Sequence, residues 1–199
     1  MKKINSKGFT LIELLAVITI MGILMMVAIP SVSRTIENSR RDTFANIAHE
    51  YINAVRNGVM ADNIECLVDS SYAVASATPD GWYYFEIDTQ QQNTKDLMES
   101  GGKSPFGNAE MKGYILWNKT SSYNSRGDLK TKTVYYSKLV DSGKHGYTNW
   151  LREEDVKRSN ISTSTGVGAT DFTLMTGTEA VTIYDAAIAP GVAHPCVLS

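Results

Sequence analysis

The residues in this chain that could do chemistry lie at its start, where Gly8 meets Phe9 and where, four residues on, Glu13 interrupts an otherwise apolar run. A cut after Gly8 would free an α-amine on Phe9 about one helical turn from the Glu13 carboxylate, close enough for the two charges to offset each other. A carboxylate in a lipid-embedded helix costs about 2.5–3.5 kcal/mol on insertion scales, so such a residue usually has a partner or a task. The partner here is either the amine of the same chain or that of a neighbouring chain. The plainer reading is a signal anchor that tolerates one acid.

The elements that must position these groups follow from the flanking pattern. Residues Met1 to Gly8 carry Lys2, Lys3 and Lys7 and no acid, so this leader is expected to stay on the cytoplasmic side and send the C-terminus outward. Phe9 to Ile29, roughly 21 residues at a rise of about 1.5 Å each, matches a hydrocarbon core of about 30 Å. A secretory signal ends in a small-residue cleavage site after its apolar region. None follows here, and the small residue precedes the run instead. Within the helix, Gly22 costs about 1 kcal/mol relative to Ala, and Pro30 removes a hydrogen bond and crowds the preceding turn. The Gly22–Pro30 stretch is therefore the weakest part of the stem.

The segment Lys7-Gly8-Phe9-Thr10-Leu11-Ile12-Glu13-Leu14-Leu15 resembles the processing motif of type IV pilins and the related pseudopilins. The resemblance covers about the first 30 residues. It implies cleavage after Gly8 by a prepilin peptidase, N-methylation of Phe9, and polymerisation in which Glu13 pairs with Phe9 of a neighbouring subunit. Gly22 and Pro30 fall where that family carries helix-weakening residues. The implied partners are further copies of the chain, the peptidase/methyltransferase, the pilus assembly machinery, and the lipid bilayer before assembly. The implied product is an extracellular filament serving adhesion, twitching motility or biofilm growth. A minor pilin, a type II secretion pseudopilin and a competence-type pilin contacting DNA are the alternatives within the resemblance.

Past Pro30 the chain becomes amphipathic. Val32, Ile36, Phe44, Ile47, Ala48, Tyr51, Val55 and Val59 recur at helical steps among charged residues, which predicts one long helix to about Gly58 with one stripe facing a core. Strand signals then dominate. Gly81–Asp88, Gly113–Trp117 and Lys132–Val140 are rich in aromatic and β-branched residues, the last two read as a hairpin across Asn118–Thr131, and Glu179–Tyr184 is a further strand candidate. Thr94–Ser100 and Tyr147–Val156 are expected to be short helices, and Ser104–Asn108 a Pro/Gly turn. The expected fold is α+β, as in type IV pilins. A long kinked helix, transmembrane in its N-terminal half, carries an antiparallel sheet on its C-terminal half. The expected divisions are a cleaved leader 1–8, a membrane and filament-core helix 9–30, an amphipathic helix 31–59 and a β-sheet head 60–199.

Two cysteines, Cys66 and Cys196, allow one pairing, which an outward-facing, oxidising location favours. Two separate buried thiols are the alternative. Charge is uneven: Asp62–Glu99 holds eight acids and one base, and Lys103–Arg158 eleven bases and six acids. Patches of opposite sign either guide contacts between heads or neutralise one another within the fold. Lys119, Arg126, Lys130, Lys132, Lys138 and Lys144 near Tyr123, Tyr135 and Tyr136 suggest a nucleic-acid groove. The chain's net charge of −2, which becomes −5 without the three leader lysines, argues against that use. His49, His145 and His194 have no metal-ligand spacing, and no hydrolase or phosphate-loop motif occurs. No catalytic residue, metal or cofactor is expected. The chemistry is expected at the site where this chain is itself a substrate.

Overall fold

The computed structural model describes residues 9–98, 102–163, 167–168 and 193–199. The chain divides into two units, Met1–Ser39 and Arg40–Ser199. Helix α1 runs from Leu11 to Met60 without interruption at Pro30. Helix continues two residues past Gly58, where the sequence suggests a stop. Gly58 instead serves close packing, since a Cβ there would lie 2.8 Å from Ile64 Cδ1. The chain leaves the helix through Asp62, whose φ of 57° is left-handed.

In the second unit a sheet follows the helix. Its strands are β1 (Ile64–Val68), β2 (Ser71–Val74), β3 (Gly81–Asp88), β4 (Met111–Tyr123), β5 (Leu129–Asp141), β6 (Gly146–Arg152) and β7 (His194–Leu198), with a short helix α2 (Gln92–Leu97) after β3. Among the described residues these form one sheet in the order β2-β1-β7-β3-β4-β5-β6. All neighbours are antiparallel except β3 and β7, which are parallel. The sheet is thus mostly rather than wholly antiparallel, because the C-terminal strand inserts between β1 and β3.

The core of this unit lies between one face of the sheet and the helix. Phe44, Ala48, Tyr51, Ile52 and Val55 recur on one stripe of α1 and pack with Cys66, Phe85, Ile87, Ile115, Trp117 and Leu139. Each fully buried Phe or Ile contributes about 1.5–3 kcal/mol by leaving water. Val32 and Ile36, expected on the same stripe, are exposed, so burial begins only near Phe44. The opposite sheet face is also covered at Tyr114, Leu116 and Val140. Burial on both faces explains why Gly113–Trp117 reads as a nearly continuous apolar run rather than an alternation.

Several elements depart from the sequence reading. The β4–β5 hairpin is much longer than expected. Lys119–Tyr123 pairs with Leu129–Thr133, and only Asn124–Asp128 turns, with Asn124 Oδ1 accepting from the Arg126 and Asp128 amides. The Ser/Thr stretch taken for a loop is strand because these side chains fit a pleated surface as well as a turn. Tyr147–Val156 is not a helix. Its first part is β6, which satisfies the free edge of β5, and Glu153–Asp155 is a single 3₁₀ turn. The hairpin β1–β2 turns on Asp69 and Ser70, both left-handed, without the Asn-Gly or Asp-Gly pair that usually announces such a turn. Thr94–Leu97 is the described helical part of the expected Thr94–Ser100. The Glu179–Tyr184 candidate lies outside the described residues.

Candidate functional site

Gly8 lies outside the described residues, while Phe9 and Thr10 lead into α1, with Phe9 87% exposed. The Thr10 N–H and the Thr10 hydroxyl both donate to Glu13 Oε2 at 2.8 Å, and the Glu13 N–H donates back to Thr10 Oγ1 at 3.3 Å. This is a capping box in which Thr10 is the N-cap and Glu13 the third helical residue. Two of the orphan donors of the first turn are thereby satisfied. Sequence reasoning assigned Glu13 the Phe9 amine and overlooked Thr10, although the T-x-x-E spacing carried the signal.

The reciprocal cap gives Glu13 a local role in this uncut chain. Its carboxylate is hydrogen-bonded within its own turn, which offsets part of the cost of carrying it into an apolar medium. It also sits at the positive end of the helix dipole. Cleavage after Gly8 would add a cationic amine at that same end. Glu13 is then the nearest acidic side chain able to balance both.

Every side chain from Phe9 to Ser39 is exposed. Leu11, Ile18, Ile23, Leu24, Met26 and Ile29 are among the large apolar groups that find no cover among the described residues. A helix apolar on all sides and buried on none needs lipid or other chains around it. A Cβ added at Gly22 would meet nothing within 4 Å, so no contact among the described residues requires glycine there. Thr19 and Thr35 return their hydroxyls to carbonyls one turn back, Leu15 and Ser31 among them, a common way to keep polar groups inside an apolar helix satisfied.

Cys66 and Cys196 form a disulfide across a sequence separation of 130. They are directly opposite one another in the β1–β7 ladder, so the bond clips the inserted strand to its neighbour.

Other polar clusters among the described residues tie segments of the fold together. Ser104 Oγ donates to Asp141 Oδ2 at 2.5 Å, and His145 Nδ1 lies 3.0 Å from both Asp141 oxygens while its ring stacks on Phe106 at 3.9 Å. The carboxylate stands between Ser104 and His145, and Ser104 bonds the acid rather than the imidazole. The trio therefore lacks the nucleophile–base contact of acyl-transfer chemistry. It ties the Ser104–Asn108 turn to the β5–β6 turn. His49 Nε2 is 3.0 Å from the Val156 carbonyl, and His194 packs against Tyr83. Among the described residues no group of three or more His, Cys, Asp or Glu could hold a metal ion.

The basic and aromatic residues considered for nucleic acid are dispersed. Lys119 Nζ donates to the Ser76 and Thr78 carbonyls at 2.7 Å, and Tyr135 is buried beneath the Arg56 guanidinium. Lys112 meets Asp88 at 3.4 Å, so the acidic and basic segments do partly neutralise one another. Arg126, Lys130 and Lys132 remain together on the outer part of the hairpin.

Residues 3–29 match the model of the prokaryotic N-terminal methylation motif. The chain carries a type IV pilin-like class III signal peptide, a motif that implies processing by a prepilin peptidase and assembly in a pilus-type system. The apolar helix beside it fits a membrane-anchored precursor. No curated protein and no solved structure matches the chain.

Proposed function

We propose that this chain is a structural subunit of a type IV pilus, cut after Gly8, N-methylated at Phe9 and polymerised through residues 9–30 into an extracellular filament. The observation that carries the reading is the junction itself. A methylation motif runs into a helix whose first part is apolar on every side, uncovered among the described residues, and interrupted near its start by one acid. In the precursor Glu13 is occupied by Thr10. In the filament the new Phe9 amine of an adjoining subunit competes for the same carboxylate, and lipid is exchanged for neighbouring helices. The second unit is displayed on the outside, where a disulfide is stable.

The test is to recover the chain from sheared surface filaments and measure its N-terminus. The expected species begins at Phe9 with one added methyl group and forms the bulk of the fibre. Recovery at trace level would make it a minor pilin, and retention in the envelope a secretion pseudopilin. An N-terminus at Met1 in assembled fibres would refute the processing step. DNA binding is the less favoured use, because the lysines and tyrosines that suggested it do not converge on one groove.

A further inference from the structure

The second unit has two unlike poles. The register of β7 sets them: His194 pairs with Tyr83 near the start of β3, whereas Leu198 pairs with Ile64, just beyond the end of α1. At the first pole β3 stops at Gly81, opposite Lys119, and β4 and β5 continue as a two-stranded ribbon to their turn. At the other pole the last turns of α1, α2 and the end of β7 enclose an open groove of about 610 Å³. Ribbon and groove therefore lie at opposite ends of the strands.

We infer that the ribbon of one copy docks in the groove of the next copy of this same chain. The inference rests on the polymer reading above and deepens it. Among the described residues of this unit, the large apolar side chains left exposed are Met60, Tyr72, Tyr123 and Leu129. Tyr123 and Leu129, 76% and 58% exposed, face each other as the last pair of the ribbon. Met60 stands at the groove pole, one residue from the groove-lining Ala61.

The groove has an apolar floor, with Leu97, Met98 and Leu198, and a polar rim with Glu50, Asn53 and Asp96; no Lys or Arg lines it. The ribbon carries Arg126, Lys130 and Lys132 against the single acid Asp128. Among the described residues neither these three cations nor Glu50 and Asp96 form an ion pair. An apolar tip flanked by cations thus matches an apolar floor rimmed by acids and amides. The Asn124-centred turn holds the tip in shape before contact, which limits the ordering cost. Because the two surfaces differ and lie at opposite ends, the contact is heterologous and does not close on itself in a pair; repeated, it makes an open helical array. An isolated two-stranded ribbon is also a marginal structure in water, and a partner would stabilise it.

The experiment uses the full chain in piliated cells. Tyr123→Cys and Asn57→Cys are combined in one chain, and filaments are treated with a short bis-maleimide. The expected result is a ladder of cross-linked subunits, absent from either single variant. In parallel, R126E/K130E/K132E is expected to lower recovery of filaments about tenfold, the effect of losing the two exposed ion pairs that Glu50 and Asp96 can make. Adding E50K/D96K should restore recovery to within about threefold if the reversed charges meet each other. Retention of the Cys66–Cys196 bond and of the thermal midpoint checks that the variants fold. Absence of the ladder in filaments that contain the chain overturns the docking whatever the charge variants do. A ladder with unchanged recovery after reversal upholds the docking and overturns the share given to charge. Absence of the chain from any filament overturns the polymer reading and the docking with it.

Discussion

Replacing Cys66 and Cys196 together by alanine tests how the second unit is held together. The bond closes a loop over a separation of 130 residues, and restricting such a loop in the unfolded chain is worth about 5 kcal/mol on the chain-entropy relation. Domains have about 5–15 kcal/mol in total, so the bond would supply a third or more of the stability. Its position compounds the effect. β7 is five residues long and, among the described residues, is the only link in the ladder between β1–β2 and β3–β6; without the clip, that strand is free to leave and divide the sheet. The assay is urea unfolding of the full chain in detergent, followed by tryptophan fluorescence. With a slope of about 2 kcal/mol per M, the midpoint should fall by about 2–2.5 M. A fall below about 0.5 M with unchanged slope would refute the reasoning. It would mean that the β1–β7 and β3–β7 hydrogen bonds alone hold the strand.

Thr10→Val, which keeps the shape and the residue-10 N–H but removes the hydroxyl that accepts from the Glu13 N–H, should cost the first turn of α1 about 1 kcal/mol and speed amide exchange at Leu11–Leu14. Glu13→Val should leave membrane insertion intact while filament yield falls sharply; normal fibres from that variant would count against the assigned role. Gly22→Ala should be accommodated by the subunit, since nothing lies within 4 Å of the added Cβ, and should strengthen the helix by about 1 kcal/mol. If the Gly22–Pro30 stretch must unwind on assembly, that gain appears as slower polymerisation. A filament map with unbroken helical hydrogen bonding from Leu14 to Ile36 would rule the unwinding out. Burial, with the neighbouring Asp88 charge, raises the pKa of Glu86 against the opposing effect of Lys112. A raised folded-state pKa contributes stability that is full below the unfolded value and is lost as pH rises through the folded one. Glu86→Gln should therefore be the more stable form at pH 7, by less than about 1 kcal/mol given partial exposure, and the difference should vanish below about pH 4. Equal thermal midpoints at both pH values would contradict this.

Local chemistry made the N-terminal region legible. The basic leader, Gly8–Phe9 and the apolar run around Glu13 all lie within about 30 consecutive residues, and their meaning depends on spacing along the chain; the T-x-x-E spacing was there too, but its cap was recognised only in the structure. The helical stripe Phe44–Val55 and the strand Gly81–Asp88 were readable for the same reason, as each shows its own period. The hairpin core around Gly113–Trp117 and Lys132–Val140 was readable, but its length was not: Ser and Thr at Thr120–Ser122 serve loop and strand equally, and only pairing with Lys130–Lys132 decides. Likewise Tyr147–Arg152 became a strand because β5 offered a free edge.

By itself, then, the sequence determined the N-terminal methylation motif, the membrane-length helix and the α+β character. These follow from near-neighbour sterics, hydrogen bonding and transfer of apolar surface from water. Tertiary structure decided what depends on distant segments meeting: the insertion of His194–Leu198 between β1 and β3, the placing of Cys66 opposite Cys196, the dispersal of the lysine and tyrosine set, and the separation of ribbon and groove to opposite poles. No periodicity encodes these, because the free energy that selects them comes from closing long loops onto a shared core.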